Sequence, residues 1–270
     1  YLLPSVIDDA DMGVSHVVRG EDHVTNTALQ LQMFAAIDSA PPVFAHEALL
    51  TGTEGKLSKR LGALGMAELR DAGIEPAAIR SLLARIGTSD PVEPQVDAAP
   101  LVAGFDLSHF GRAPARFDER ELAQVNARIV HQFGFGAVAA RLPAGMDAAA
   151  WEAIRPNLST VAEAADWWRV IDGPIEATPA ADGEDAAYVA QAAAAAREID
   201  WSADPWRALT DRLKADTARR GKALFLPLRH ALTGRDHGPD MAALLPLIGR
   251  ERALARLDSY AGAPAPISAR

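Results

Sequence analysis

The sequence predicts an α/β segment followed by an all-α segment. Three observations carry this reading. A short β-branched stretch, Val14-Ser15-His16-Val17-Val18, runs into a polar stop and then into helical spacing. Two stretches rich in proline and acid, 88–100 and 172–185, read as loops or linkers. Beyond the second, almost every segment has helical spacing. That change of character implies at least two domains.

The elements follow in order. Thr25 is placed to cap a helix through about Ile37, with Leu29, Met33 and Phe34 at helical spacing. Pro41-Pro42 forces extended backbone, and 43–45 and 48–50 follow as strand pieces. Residues 51–55 read as a turn that presents 56–60 on a loop. Pro76 opens a helix with Ile79, Leu82, Leu83 and Ile86 on one face and Gly87 at its end. Asp118 and Glu121 make a capping-box-like start for a helix through Val130. Further helices are expected at 185–198, 204–218, 222–233, 241–248 and 250–260. Pro227 and Pro246 are expected to kink or interrupt theirs, and the tail from Gly262 to Pro266 to fray.

Composition bounds the function. Among 270 residues, 27 are Lys or Arg and 36 are Asp or Glu, a formal net charge of −9. Apolar residues make up 49% and charged residues 23%, so a substantial core forms and wholesale disorder is excluded. The acidic balance argues against sequence-blind coating of nucleic acid, but leaves room for a local basic patch. Zero cysteine excludes disulfides, thiolate zinc sites and a Cys nucleophile, and fits a reducing cytoplasm. No stretch approaches the roughly 18 unbroken apolar residues of a membrane span. The alanine-rich run 186–196 is broken by Gln191 and reads as an ordinary helix. No basic-then-apolar signal pattern opens the chain. It begins at Tyr1 inside an apolar segment, which reads as a piece of something longer.

Several familiar sites fail their tests. Gly55-Lys56 looks like the end of a phosphate loop, but Leu57 stands where Ser or Thr is needed and Leu50 where the first Gly belongs. His46-Glu47 begins like a zinc-protease helix, but residue 50 is Leu. No G-x-S-x-G elbow occurs. The seven His include no pair at metal-ligand spacing, so no dedicated metal site is expected. Met241 to Leu257 around Gly249 reads as two packed helices rather than a DNA reader.

Three segments carry chemistry. Arg19-Gly20-Glu21-Asp22-His23 lies where a strand ends and a helix begins, the place where open α/β sheets bind ligands. Arg19 offers a planar fork for a carboxylate there; alone, the segment also reads as a strand end with an Arg–Asp pair. Lys56 and Lys59, with Ser58 beside the second, can close on polyphosphate and stabilise charge on departing pyrophosphate. Alone, that loop also reads as a solvated basic turn. Arg219-Arg220-Gly221-Lys222 and Arg229 form a basic patch on an acidic chain, suited to phosphates at splayed RNA loops or simply to solvated helix ends. Trp167, Trp168, Trp201 and Trp206 read as packing anchors rather than base-stacking platforms.

Together these segments resemble class I aminoacyl-tRNA synthetases, specifically the bacterial glutamyl-tRNA synthetases. "YLLPSVIDDADMGVSHVVRGEDHVTNTALQLQMF" is similar to the second half of that family's Rossmann-like nucleotide-binding fold. "GTEGKLSKRLGA" resembles its KMSKS loop, with Leu57 in place of Met and Arg60 in place of the last Ser. "GIEPAAIRSLLARIG" is similar to the helical segment after that loop, and "GKALFLPLRHALTGRDHGPDMAALLPLIGRERALARL" to the helical anticodon-binding end. The resemblance covers nearly the whole chain. The family's HIGH-type ATP motif is absent, and His46 does not supply it because it lies after the substrate strand. With the Tyr1 start, this implies that roughly the first half of the full enzyme, with half of its ATP site, lies outside these residues.

The resemblance implies ATP-dependent ligation of L-glutamate to tRNA(Glu) through glutamyl-adenylate. It assigns Lys56, Ser58 and Lys59 to catalysis and Lys59, Lys56, Leu57 and Ser58 to ATP, with Tyr1, Ser5 and Arg19 lining the glutamate pocket. Gly20, Glu21, Asp22, His23 and Arg60 are supports. Arg219, Arg220, Lys222 and Arg229 fall to tRNA. Mg²⁺ arrives with ATP, and no protein-ligated zinc is implied. The implied whole is a cytoplasmic monomer engaging neither DNA nor membrane. Its parts here are 1–64, the rest of the catalytic domain; 65–134, a connecting α-rich domain; and 135–270, the anticodon-binding domain. A glutaminyl enzyme would end in β-barrels, and a short tRNA-modifying paralogue would stop soon after the lysine loop. A non-catalytic tRNA-binding module would need no phosphate-gripping lysines.

Overall fold

A computed structural model describes residues 1–52, 55–56, 65–175 and 183–262. The chain divides into two compact units, Tyr1–Ile129 and Val130–Arg270.

The first unit opens with α1, Leu2–Asp11, which buries Val6. Gly13, at φ +63°, turns the chain out of the helix while Gly13 and Val14 donate to Ala10 O and Asp9 O. That exit consumes residues 13–15. Strand β1 therefore runs His16–Gly20 rather than 14–18, and the polar stop Arg19-Gly20 is part of the strand. Strand β2, Val43–Glu47, lies parallel to β1 with Arg19 opposite His46. The crossover is α2, Val24–Ala36. It is entered through a 3₁₀ turn, Glu21–His23, so His23 and not Thr25 takes the N-cap position. Its buried face is Thr27, Gln30 and Phe34, whereas Leu29 is exposed and Met33 only half-buried.

Strand β3, Leu50–Gly52, pairs antiparallel with β4, Gly55–Lys56, and parallel with β5, Ala115–Arg116. Thr51 and Gly52, expected in a turn, are thus strand residues. Leu57, Ser58, Lys59 and Arg60 lie outside the described residues. Helix α3, Met66–Asp71, precedes α4, Pro76–Leu83. Pro76 stands in the first turn of α4 as expected, but the buried face is Ala77, Ala78, Ser81 and Leu82; Leu83 is exposed. A short helix α5, Ala99–Ala103, begins inside the expected linker. Helix α6, Glu119–Val130, starts where Asp118 Oδ1 accepts the Arg120 N–H at 2.8 Å. Asn126 on α6 accepts the Glu75 N–H at 2.7 Å and donates to Gly73 O, stitching α6 to the entry of α4.

The second unit is helical: α7 Phe135–Val138, α8 Ala148–Ile154, α9 Ala164–Asp172, α10 Gly183–Glu198, α11 Pro205–Asp216, α12 Lys222–Thr233, α13 Met241–Ile248 and α14 Arg250–Tyr260. One core joins them, with Trp151, Ile154, Leu158, Ile171, Leu209, Leu213, Leu224 and Leu228 fully buried. Each such side chain contributes about 1.5–3 kcal/mol. Trp167 is buried, and Trp168, Trp201 and Trp206 pack against the same core.

Neither Pro227 nor Pro246 interrupts its helix. Pro227 offers no N–H to the carbonyl of Ala223 one turn earlier. That oxygen instead accepts Arg219 Nη1 at 3.2 Å. Arg256 on α14 is buried, donating to Leu232 O and Gly173 O at 2.8 Å each; burial pushes its guanidinium down to about 10. The tail from residue 263 lies outside the described residues.

Candidate functional site

The residues expected to recognise glutamate converge at the carboxyl ends of β1 and β2. Arg19 leaves the penultimate position of β1 and meets α2. Its Nη2 donates to Thr27 Oγ1 at 2.5 Å and to Gln30 Oε1 at 2.6 Å. The Phe44 ring lies 5.1 Å from its Cζ. Arg19 Nε is buried with no hydrogen-bond partner among the described residues. A guanidinium so held retains directional donors for a planar anion, and a carboxylate matches them.

From α1, Ser5 Oγ accepts Gln30 Nε2 at 3.4 Å, and the Tyr1 hydroxyl accepts Asn26 Nδ2 at 3.1 Å. Asn26 Nδ2 also lies 3.0 Å from His23 Nδ1, and His46 Nε2 lies 2.8 Å from Thr27 Oγ1. A Cβ at Gly20 would sit 2.5 Å from Asp22 Oδ1 and 3.2 Å from Leu49 Cδ2, so a side chain there would push both aside. Glu21 Oε1 accepts the Leu49 N–H at 3.5 Å, tying the turn to the approach of β3. Asp22 and His23 face each other at 3.9 Å.

Sequence reasoning missed Asn26, Thr27, Gln30 and His46. A signal for three of them was present. His23, Asn26, Thr27 and Gln30 stand at i, i+3, i+4 and i+7, a polar stripe on one helix face. Reading α2 for its apolar residues alone hid it.

The lysine loop is described only at Gly55 and Lys56, whose backbones form β4. In the second unit, Arg219 and Arg220 precede α12, Lys222 is its first residue, and Arg229 lies about two turns on. Arg219 is engaged inside the unit: Nη1 contacts Asp185 Oδ1 at 2.5 Å, and Cζ lies 4.4 Å above the Tyr188 ring. Tyr188 in turn donates to Leu224 O at 2.8 Å, and burial raises its phenol to about 12. Arg229 donates to Pro239 O at 3.1 Å and is partly desolvated, which lowers its pKa against the opposing pull of Asp240. Arg220 donates to Thr217 O and Arg219 O, and Lys222 is exposed. Among the described residues, no group of three or more His, Asp or Glu is placed to hold a metal, and no helix is long and apolar enough to cross a membrane.

Residues 1–124 match the catalytic domain of tRNA synthetases class I (E and Q), and residues 115–261 match the anticodon binding domain. The chain belongs to the class I tRNA synthetases of the glutamate and glutamine group, an α/β catalytic domain followed by an α-helical one. It is 67% identical to glutamate–tRNA ligase 2 of Sphingopyxis alaskensis, over 97% of this chain and 60% of that protein. It is 65% identical to glutamate–tRNA ligase 1 of Novosphingobium aromaticivorans, over 96% of this chain and 58% of the relative. The crystal structure of a glutamate tRNA ligase from Elizabethkingia meningosepticum in complex with its amino acid has the same fold, with a TM-score of 0.81 at 23% identity. That match covers 97% of this chain and 60% of the other. The chain thus spans about three fifths of the length of the relatives it matches.

Proposed function

We propose that this chain serves the ATP-dependent ligation of L-glutamate to tRNA(Glu) through glutamyl-adenylate. The observation that carries it is Arg19, clamped at a strand end by Thr27 and Gln30 through Nη2 alone. Arg19 holds a substrate carboxylate, while Tyr1 and Ser5 line the same pocket. Glutamate's α-carboxylate oxygen attacks the α-phosphate of ATP, the bond to pyrophosphate breaks, and glutamyl-adenylate forms. A ribose hydroxyl of the tRNA then attacks the acyl carbon and releases AMP. Lys59 and Lys56, with Ser58 and Leu57 shaping the loop and Arg60 behind it, grip the phosphates. No side chain acts as nucleophile; the work is positioning and charge stabilisation. Mg²⁺ would arrive with the nucleotide and supply positive charge at its phosphates without an all-protein cage, and we assign the chain no zinc.

In this reading 1–64 completes the catalytic domain, 65–134 connects, and 135–270 binds the anticodon arm through Arg219, Arg220, Lys222 and Arg229. The whole acts as a cytoplasmic monomer without DNA or membrane partners. The identities to glutamate–tRNA ligases favour it over a glutaminyl enzyme, a tRNA-modifying paralogue or a non-catalytic tRNA-binding module. The test is amino-acid-dependent pyrophosphate exchange by the full-length protein with tRNA(Glu) present. Glutamate supports exchange and Arg19→Lys raises the glutamate KM. Exchange that runs equally well on glutamine would overturn the reading.

A further inference from the structure

We infer that His46 is a positioning residue that, through the Thr27 hydroxyl, fixes the guanidinium of Arg19. The inference rests on the reading that Arg19 holds the substrate carboxylate. It follows from counting protons at one oxygen. Thr27 Oγ1 has three neighbours at hydrogen-bond distance: Arg19 Nη2 at 2.5 Å, His46 Nε2 at 2.8 Å and His23 O at 3.2 Å. A hydroxyl has one proton to donate and two lone pairs to accept with. Arginine can only donate and a backbone carbonyl can only accept. All three contacts are satisfied in one arrangement: the Thr27 proton goes to His23 O, and both lone pairs accept, one from Arg19 and one from His46. His46 Nε2 must therefore carry a proton.

The arrangement has a consequence for Arg19. Were Nε2 bare, the Thr27 proton would turn toward His46 and the carbonyl contact would be lost. With His46 donating, the hydroxyl is locked as an acceptor for Arg19. Gln30 completes the clamp, its Oε1 taking the second Nη2 proton and its amide reaching Ser5. Thr27 and Gln30 are both buried, so these bonds form away from competing water. With both Nη2 protons engaged, the guanidinium plane is set before substrate arrives. Pre-setting a clamp lowers the ordering cost of binding, so its loss falls on glutamate affinity rather than on ATP.

The experiment has two arms. In the chain as it stands, long-range ¹H–¹⁵N NMR of the His46 ring reports which nitrogen is protonated. Nε2 is expected to resonate as protonated, and a bare Nε2 overturns the proton assignment. In the full-length protein, Thr27→Val keeps the shape and removes the hydroxyl. It is expected to raise the glutamate KM about tenfold, the size of one hydrogen bond to a charged group, with ATP KM and kcat little changed. Thr27→Ser restores most of that loss. His46→Ala raises the glutamate KM in the same direction, and His46→Gln, whose amide can still donate, recovers part of it. Should Thr27→Val fail to fold, the His46 pair decides. If Arg19→Lys raises the glutamate KM while the Thr27 and His46 variants leave it unmoved, the positioning role is wrong and the carboxylate reading stands. If Arg19→Lys leaves it unmoved, the carboxylate reading falls and the positioning role with it.

Discussion

Arg19 and His46 stand opposite each other across the parallel pair β1–β2, and both reach the same hydroxyl, Thr27 Oγ1, at 2.5 and 2.8 Å. Neither contact is local: Thr27 lies eight residues from Arg19 and nineteen from His46. The crossover helix brings them together. A right-handed β-α-β unit lays its helix back over its own strands, so polar residues on the inner face of α2 meet the strand ends.

The lysine loop gives a kinetic prediction. In the full-length protein, Lys59→Ala should lower glutamate-dependent pyrophosphate exchange roughly 10²–10³-fold, or about 3–4 kcal/mol, by analogy with loss of one preorganised donor. Binding of tRNA should change little, because charge on the leaving pyrophosphate peaks in the transition state. Exchange kinetics and filter binding on one preparation separate the two. Near-normal exchange with collapsed tRNA binding would make the loop an RNA contact.

The basic patch calls for selective substitution. Arg220→Glu with Lys222→Glu should weaken tRNA(Glu) binding and flatten its salt dependence, as fewer counterions are released. Adding Arg219→Glu should weaken binding further but also lower the melting temperature. That residue contacts Asp185 and takes the carbonyl of Ala223 that Pro227 leaves without an N–H. Unchanged affinity in the double variant, measured across a salt series, would move the RNA surface elsewhere.

Gly238 yields a stability prediction. Its φ is +148°, and a Cβ there would fall 2.1 Å from Trp167 Cη2 and 2.6 Å from Cζ2. The indole has little room to retreat, since it is buried and the Arg235 guanidinium lies 4.4 Å from its ring. Gly238→Ala should cost about 1–3 kcal/mol or more. Gly136→Ala, where an added Cβ meets no atom within 4 Å beyond its chain neighbours and its own helix backbone, should be close to neutral. Thermal unfolding followed by tryptophan fluorescence makes the comparison.

The His109–Asp90 pair predicts a pH dependence. A 3.0 Å hydrogen bond from His109 Nδ1 to the Asp90 carboxylate, with Asp90's charge, raises the imidazole above its ordinary value; Asp106 adds to this and Arg85 opposes it. A raised folded-state value means the pair stabilises fully below about pH 6.5, the unfolded histidine value, and the contribution is lost as pH rises through the folded value. An NMR titration should place His109 above an ordinary histidine, and Asp90→Asn should bring it back. A midpoint at or below the ordinary value in the parent chain would show that the pair does not form.

The sequence by itself determined the local elements of the second unit. Helices at 222–233, 241–248 and 250–260 were legible to the residue. Apolar spacing, the Asp240 cap on the Ala242 N–H and Gly249 at φ +79° all act within one or two turns. It also placed Arg19 at a strand end, because β-branched runs and polar stops are local signals. Tertiary structure alone decided which partners those residues meet. Thr51 pairs across a strand with Arg116, far along the chain, Thr27 and Gln30 turn inward where Leu29 does not, and Arg219 answers for Pro227. A buried polar group needs a partner wherever the closed chain puts one, and that place is not written in its neighbours.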